Sequence, residues 1–147
     1  MACKRVIVPK DFDQEVDNLQ ILKESLTHHD RIMLHLATIK HGPHHYILLP
    51  YAKYGDLEQF LHCGIGPNRK NKYDFDERFN MMGNSDCTIP LLRQCWSIVN
   101  ALVWLHNGIT IENSSSTVCC VHMDLKPANI LIKPDSESAV GKWMISD

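Results

Sequence analysis

The sequence predicts an α+β fold, in a chain long enough for one domain or for two small lobes that share a cleft. In residues 12–26 and 90–105, apolar residues recur at three- and four-residue steps, as on the apolar face of an amphipathic helix. Short apolar runs at 6–8, 130–133 and 142–146 are typical of strands, and the first of them is entirely β-branched. A chain of 147 residues can bury about 68–70% of its unfolded surface, which suffices for one domain or two small lobes.

Composition excludes several classes of protein. The 15 Lys and Arg against 17 Asp and Glu give a net charge of −2, so we expect no nucleic-acid partner. No apolar run approaches the roughly 18 residues of a membrane span, and no signal-peptide core begins the chain. The six cysteines form no C-x-x-C pair, which indicates a reducing compartment. We therefore expect an intracellular protein, cytoplasmic or nuclear, that binds no membrane.

The first third of the chain predicts a strand, a helix and a strand pair. Residues 1–8 are expected to form a strand that Pro9 ends. From Phe12 a helix of about four turns follows, with acidic residues crowding its first turns, where the helix dipole favours anions. Residues 31–39 and 45–49 then predict two antiparallel strands joined by a turn at 40–43, which contains Gly42 and Pro43.

The rest of the chain predicts a more helical region. Residues 56–62 favour a short helix, and the polar stretch 64–86 is expected to be a surface insertion. The apolar stripe from Leu91 to Leu105 predicts a helix that ends at Asn107-Gly108, and we expect this stripe to face a core. After a Ser-rich loop at 114–116 and a strand at 118–121, residues 130–133 and 142–146 predict a hairpin with a long loop.

Residues 122–131 carry the clearest chemical signal, since they place three polar side chains together in one loop between strands. Their sequence is His122-Met123-Asp124-Leu125-Lys126-Pro127-Ala128-Asn129-Ile130-Leu131. We expect Asp124 to contact a nucleophile and Lys126 to contact a phosphate.

The predicted hairpin adds a metal site to this loop. A register that pairs Ile130 with Ser146 and Lys133 with Trp143 also sets Asn129 opposite Asp147. An amide oxygen and a carboxylate side by side suit Mg²⁺, which binds through one or two carboxylates together with substrate phosphates. We therefore predict that Asn129 and Asp147 hold Mg²⁺.

This segment resembles the catalytic loop of protein kinases, His-Arg-Asp-Leu-Lys-Pro-x-Asn, and the Lys126-Pro127 pair is similar to the serine/threonine class. The departure is Met123, which stands where most kinases have an Arg that pairs with a phosphorylated activation loop. We therefore expect activation-loop phosphorylation not to be the switch here. In the same family, residues 144–147 resemble the strand that leads into Asp-Phe-Gly, whose Asp holds Mg²⁺.

The resemblance extends back along the chain in family order. Met1-Ala2-Cys3-Lys4 resembles Val-Ala-Ile-Lys, which implies that Lys4 contacts the α- and β-phosphates and that Ala2 belongs to the nucleotide site. Glu15 then stands where the following helix supplies the ion-pair partner of that lysine. The resemblance also implies a set of adenosine-facing positions: Leu49 as gatekeeper, Pro50 to Ala52 including Tyr51 as the adenine-facing backbone, Asp56 at the ribose, and Leu131 beneath adenine.

Together these matches imply a partial bilobal kinase domain with a small-lobe part at 1–49, a hinge at 50–56 and the start of the large lobe at 57–147, with the catalytic loop at 122–129. Such a domain transfers the γ-phosphate of ATP, with Mg²⁺, to Ser or Thr of a protein substrate. No glycine-rich turn precedes Lys4 and no Phe-Gly follows Asp147. We therefore expect a fragment that is weak or inactive alone.

Other interpretations remain open. The chain could be a non-catalytic kinase-like interaction module or a truncated gene product. Lys4 could be a solvated terminal lysine, and Glu15 could act on the helix dipole alone. The nine histidines, some of them next to cysteines, could be ligands of a structural zinc site. They lack the paired Cys/His spacing that is typical of such sites. The mixed charges at 69–77 favour a solvated loop over an anion site.

Overall fold

The computed structural model describes residues 1–7, 9–25, 29–62, 88–110 and 117–146. The predicted insertion at 64–86, the Ser-rich loop at 114–116 and Asp147 lie outside these ranges. Within the described residues the elements are, in chain order, β1 (Ala2–Val6), α1 (Pro9–Ser25), β2 (Ala37–His41), β3 (His44–Leu49), α2 (Leu57–His62), α3 (Thr88–Asn107), β4 (Ile109–Thr110), β5 (Thr117–Val118), a 3₁₀ turn (Pro127–Asn129), β6 (Ile130–Lys133) and β7 (Lys142–Ile145). None of the helices described is long and apolar enough to cross a membrane.

The first lobe is a three-stranded antiparallel sheet with α1 beside it. β3 is the central strand, and β1 and β2 flank it. Lys4 of β1 and Thr38 of β2 both pair with Ile47, which is 1% exposed. Phe12 of α1 is equally buried and packs against the ring of His45 in a tilted arrangement, with the ring centroids 4.7 Å apart. Burial of apolar side chains between the helix and the sheet therefore holds this lobe together.

α1 begins earlier than predicted and the strand pair begins later. Pro9 starts the helix, a position that proline favours because its missing N–H has no partner in the first turn. The predicted strand at 31–39 is wrong in its first half, since β2 begins only at Ala37. Residues 31–33 pair elsewhere, through a parallel bridge between Ile32 and Ile145.

The second lobe packs the hairpin of β6 and β7 against α3. Ile98 and Leu105 face the core from α3, and Ile132 and Trp143 face it from the hairpin. The predicted core stripe on α3 is confirmed in part: Leu91 and Leu102 also pack against the core, whereas Cys95 is exposed. Gly108 ends α3 as predicted and takes a φ of +96°, a conformation that glycine tolerates and other residues rarely adopt.

The register of the hairpin differs by one residue from the predicted one. Ile130 pairs with Ile145 and Lys133 with Lys142, whereas the sequence predicted Ser146 and Trp143 as partners. A shift of one residue exchanges the two faces of a strand. The observed pairing buries Trp143 and Ile145, and it sets Ser146, rather than Asp147, opposite Asn129.

The strand predicted at 118–121 is also displaced. Only Thr117–Val118 is a strand, and it pairs with Ile109–Thr110. The backbone of Cys120 instead donates a hydrogen bond to the carbonyl oxygen of Leu105 at 3.0 Å. This contact ties the segment before the 122–131 loop to the end of α3.

Candidate functional site

Lys4 and Glu15 meet at the inner face of the first lobe. The ammonium of Lys4 donates a hydrogen bond to a carboxylate oxygen of Glu15 over 2.8 Å, and both side chains are about a third exposed. β1 and α1 supply one residue each, so the pair forms only when the helix packs beside the sheet. Lys4 is therefore not a solvated terminal lysine, and Glu15 has a partner besides the helix dipole.

Asp124, Lys126 and Asn129 form the second cluster, in the loop before β6. The Lys126 ammonium donates to Oδ2 of Asp124 over 2.6 Å, and the Asn129 side-chain nitrogen donates to the same oxygen over 3.2 Å. Lys126, hydrogen-bonded to this carboxyl, holds the pKa of Asp124 below its usual range. Asp124 is therefore a carboxylate at neutral pH, as a group that accepts or orients a hydroxyl proton must be.

Asn129 fixes the shape of this loop as well as contributing to its charge. Its side-chain nitrogen also donates to the backbone oxygen of Asp124 over 2.9 Å, which closes the loop across five residues. Both hydrogen bonds are made by the amide nitrogen, and neither uses the amide oxygen. An oxygen of this kind matches the donor chemistry that Mg²⁺ prefers.

Ser146 anchors the end of β7 to the same loop. Its N–H donates to the carbonyl oxygen of Asn129 over 2.9 Å, and a ring nitrogen of His122 lies 3.3 Å from the carbonyl oxygen of Ser146. The backbone N–H of Asp124 reaches the other ring nitrogen of His122 at 3.3 Å. His122 therefore connects the loop to the end of β7.

Asp147 lies outside the described residues, so its position beside Asn129 stays a prediction. Ser146, the residue before it, contacts Asn129 through its backbone N–H. Of the two predicted metal ligands, the structure thus places Asn129 in the loop and leaves Asp147 unassigned.

The residues predicted to face adenosine fall at the junction of the lobes. Ala2 pairs with Leu49 in the sheet, and Leu131 forms a bridge with Asp56. Tyr51 is 60% exposed. Ala52 accepts a hydrogen bond from the N–H of Gly55 at 3.1 Å, so its carbonyl closes the turn after the hinge.

Asp56 has a structural role that the sequence analysis did not predict. Its carboxylate accepts a hydrogen bond from the backbone N–H of Gln59 at 2.8 Å, directly before α2 begins at Leu57. This is the contact that an N-capping Asp makes with the third residue of a helix. A contact between Asp56 and ribose would have to use Oδ2, because Oδ1 accepts the hydrogen bond of the cap.

A cleft of about 590 Å³ is lined by Lys4 and Glu15 and reaches the start of the 122–131 loop at His122 and Met123. Asp124, Lys126 and Asn129 are not among its lining residues. Apolar side chains from α1, β3 and α3 complete the walls, and they include Leu22, Ile47, Leu49 and Leu105. The cleft therefore combines the Lys4–Glu15 ion pair with mainly apolar walls.

Sequence reasoning missed three residues that support the site. Arg31 donates to the side-chain oxygen of Gln94 over 2.6 Å, and Ser146 contacts Asn129 as described. Gln94 could have been found from the sequence, because it is a polar residue within the apolar pattern of α3 and a buried amide requires hydrogen-bond partners. The sequence does not point to Arg31 or Ser146, because their partners are distant in the sequence.

Across the part of the chain that the structure describes, no three side chains of the His, Cys, Asp or Glu type come together as metal ligands. Cys3, Cys95, Cys119 and Cys120 are free thiols. The cysteines and histidines raised as zinc ligands thus do not assemble a site in the described ranges.

Comparison with known proteins identifies a family and one relative. A family model described as protein tyrosine and serine/threonine kinase matches residues 5–146. A putative U-box domain-containing protein 53 from Arabidopsis thaliana is 30% identical over 135 residues, which is 90% of this chain. The matched region is 12% of that relative, so the chain spans about an eighth of its length.

Proposed function

Since the chain belongs to the protein tyrosine and serine/threonine kinase family, we propose that it provides the nucleotide and catalytic groups for transfer of the γ-phosphate of ATP to Ser or Thr of a protein. The observation that carries this proposal is the ion pair of Lys4 and Glu15 at 2.8 Å. It joins a strand and a helix at the cleft that also reaches the 122–131 loop.

Each charged residue has a proposed task in this reaction. Lys4, held by Glu15, binds the α- and β-phosphates. Asp124 orients the substrate hydroxyl and accepts its proton, while Lys126 moves from Asp124 to the transferring phosphoryl group. Phosphoryl transfer depends mainly on such positioning of charge.

Asn129 and Asp147 are the proposed ligands of Mg²⁺. When bound, Mg²⁺ supplies positive charge to the phosphates of ATP. The hydrogen bonds from the Asn129 amide nitrogen to Asp124 do not use the amide oxygen, and they fix its orientation. The carboxylate of Asp147 would follow directly on Ser146.

The preference for Ser and Thr over Tyr is supported by the Lys126-Pro127 pair. Pro127 begins the 3₁₀ turn that ends at Asn129, and proline suits the start of such a turn because its φ is already fixed. Lys126 precedes this turn in extended conformation, with a φ of −147°. Its side chain thereby reaches back to Asp124.

The experiment measures phosphate transfer from labelled ATP to equimolar peptides that present Ser, Thr or Tyr, with and without Mg²⁺. We expect weak Mg²⁺-dependent labelling of Ser and Thr that Asp124→Asn abolishes. Labelling of Tyr alone would overturn the Ser/Thr assignment. A melting temperature that Mg²⁺-ATP does not raise would overturn the proposal of nucleotide binding, because a ligand of the folded state must stabilise it.

A second candidate function, a non-catalytic interaction module, is favoured by one observation. The face of α3 opposite the core exposes a row of apolar side chains at steps of three and four residues: Ile89, Leu92, Trp96, Val99 and Val103. A contiguous row of exposed apolar side chains on a protein surface is typical of a site that contacts another protein. The same two measurements separate the candidates, since a module of this kind would neither bind Mg²⁺-ATP nor transfer phosphate.

A further inference from the structure

β7 is held from both sides, and only one of its neighbours is β6. On the other side, the N–H of Ile145 donates to the carbonyl oxygen of Arg31 over 2.8 Å, and the N–H of Met33 donates to the carbonyl oxygen of Ile145 over 2.8 Å. Residues 31–33 therefore lie parallel to β7 and are joined to it by an isolated bridge at Ile32 and Ile145. They connect the chain after α1 to the strand that ends at Ser146.

One side-chain oxygen reinforces this contact. Oε1 of Gln94 accepts a hydrogen bond from the Arg31 guanidinium over 2.6 Å and another from the backbone N–H of Trp143 over 3.2 Å. The same guanidinium nitrogen lies 3.4 Å from the carbonyl oxygen of Trp143. Gln94 thus links α3, residues 31–33 and β7 at one point.

This link is buried and is therefore costly to break. Gln94 is 2% exposed, and its side-chain nitrogen donates to the hydroxyl of Ser138 over 3.3 Å. Loss of the Gln94 oxygen would leave the Arg31 guanidinium and the Trp143 N–H without this acceptor, and unsatisfied buried donors destabilise strongly. An apolar residue would have filled the same position on α3 without fixing β7.

We propose that Gln94 and Arg31 are positioning residues that hold β7 in the register that brings Ser146 against Asn129. β7 has four residues, so few ladder hydrogen bonds oppose a slip of the strand, and a slip of one residue would exchange its faces. The link at Trp143 lies three residues before Ser146. This inference rests on the proposed function, because Asn129 and the residue after Ser146 are the proposed ligands of Mg²⁺.

Gln94→Leu removes the acceptor, whereas Gln94→Glu keeps an oxygen that accepts from both Arg31 and the Trp143 N–H. Ser138→Ala is the matched control, since it removes only the partner of the Gln94 nitrogen. Arg31→Lys keeps the positive charge but loses the planar guanidinium, and it serves as the second disrupting variant should Gln94→Leu fail to fold.

The first measurement is amide hydrogen exchange at Ser146. Ile47, in the sheet of β1, β2 and β3, is the internal reference. Global destabilisation accelerates exchange at both residues, whereas loss of the proposed link accelerates exchange at Ser146 alone. We expect exchange at Ser146 relative to Ile47 to rise at least tenfold in Gln94→Leu and Arg31→Lys, and to stay within twofold of wild type in Gln94→Glu and Ser138→Ala. Equal ratios in Gln94→Leu and Ser138→Ala would overturn the inference.

The second measurement is the Mg²⁺ concentration that half-saturates ATP binding. We expect it to rise at least threefold in Gln94→Leu and to be restored in Gln94→Glu, while affinity for ATP in EDTA stays unchanged. An unchanged Mg²⁺ dependence with faster exchange at Ser146 would overturn the link to the metal site. If wild type fails to bind Mg²⁺-ATP, the proposed function fails, and the exchange ratios still decide whether Gln94 and Arg31 hold β7.

Discussion

Ser146 and Asn129 are joined backbone to backbone, with the Ser146 N–H 2.9 Å from the Asn129 carbonyl oxygen. The Ser146 hydroxyl also lies 3.4 Å from that oxygen, and both residues are buried. The end of β7 and the end of the 3₁₀ turn therefore share one acceptor. The two segments that carry the proposed Mg²⁺ ligands are thus joined by a main-chain hydrogen bond. Substitutions of surface side chains leave this hydrogen bond in place.

The Lys4–Glu15 pair predicts a selective loss of nucleotide binding. We expect Lys4→Ala to weaken Mg²⁺-ATP binding at least tenfold, because hydrogen bonds to charged groups contribute about 1.5–3 kcal/mol. The matched control is Lys40→Ala, which removes a pair of the same 2.8 Å length between Lys40 and Asp13 on the exposed side of the same lobe. Calorimetric titration with Mg²⁺-ATP measures both variants, and equal losses in the two would contradict the assignment of Lys4.

Asp124 predicts a separation of activity from stability. We expect Asp124→Asn to lower phosphate transfer by about 10²–10⁴-fold, the usual contribution of a positioned acid–base group. The side chain is 65% exposed, so the melting temperature should change little. Asp135→Asn is the control, because Asp135 lies outside the 122–131 loop and caps a turn through the Glu137 N–H. A variant that melts early and loses activity in proportion would show a structural role only.

His35 predicts that stability falls in mild acid. Burial, with a smaller contribution from the Lys23 ammonium, lowers the pKa of His35 from its ordinary 6.5, and its Nδ1 has no hydrogen-bond partner in the described structure. The unfolded chain then binds the proton more readily than the folded chain, so the free energy of unfolding decreases as pH falls below about 6.5. Stability from this group is fully present above that pH.

Urea unfolding at pH 7.5 and 5.5 tests this expectation. The decrease in the free energy of unfolding between the two values should be smaller in His35→Gln than in wild type. Burial also lowers the pKa of His29, so some decrease should remain in that variant. His41→Gln, on the exposed strand β2, is the control and should keep the wild-type difference. An identical decrease in His35→Gln and wild type would refute the role of His35.

Alanine should destabilise the protein more at Gly141 than at Gly42, because a Cβ has less room at Gly141. Both have positive φ, +71° and +56°, so alanine costs about 1–2 kcal/mol at either position. A Cβ at Gly141 would lie 2.7 Å from the Lys133 carbonyl oxygen, whereas a Cβ at Gly42 would meet nothing within 4 Å. Overpacking adds about 1–3 kcal/mol at Gly141 alone. Chemical unfolding of the two alanine variants measures this difference, and equal destabilisation would show that the hairpin yields at Gly141.

Elements with strong periodicity could be predicted because their local pattern agrees with their final environment. α3 ends at Gly108 as its sequence indicates, and the family resemblance through residues 122–131 is confirmed by the match over 5–146. Residues 31–33 could not be predicted in the same way. The apolar residues that follow Arg31 fit a strand, but the backbone partner of residues 31–33 is β7, more than 100 residues later.

The sequence by itself determined which residue types stand in the loop around Asp124, because the family motif and its spacing are local properties. Only the tertiary structure decided how the hairpin aligns and what holds β7. Burial of Trp143 and Ile145 against the core selects a register in which Ser146 faces Asn129. The physical reason is that two registers one residue apart satisfy the same backbone hydrogen bonds, and only packing against α3 and residues 31–33 distinguishes them.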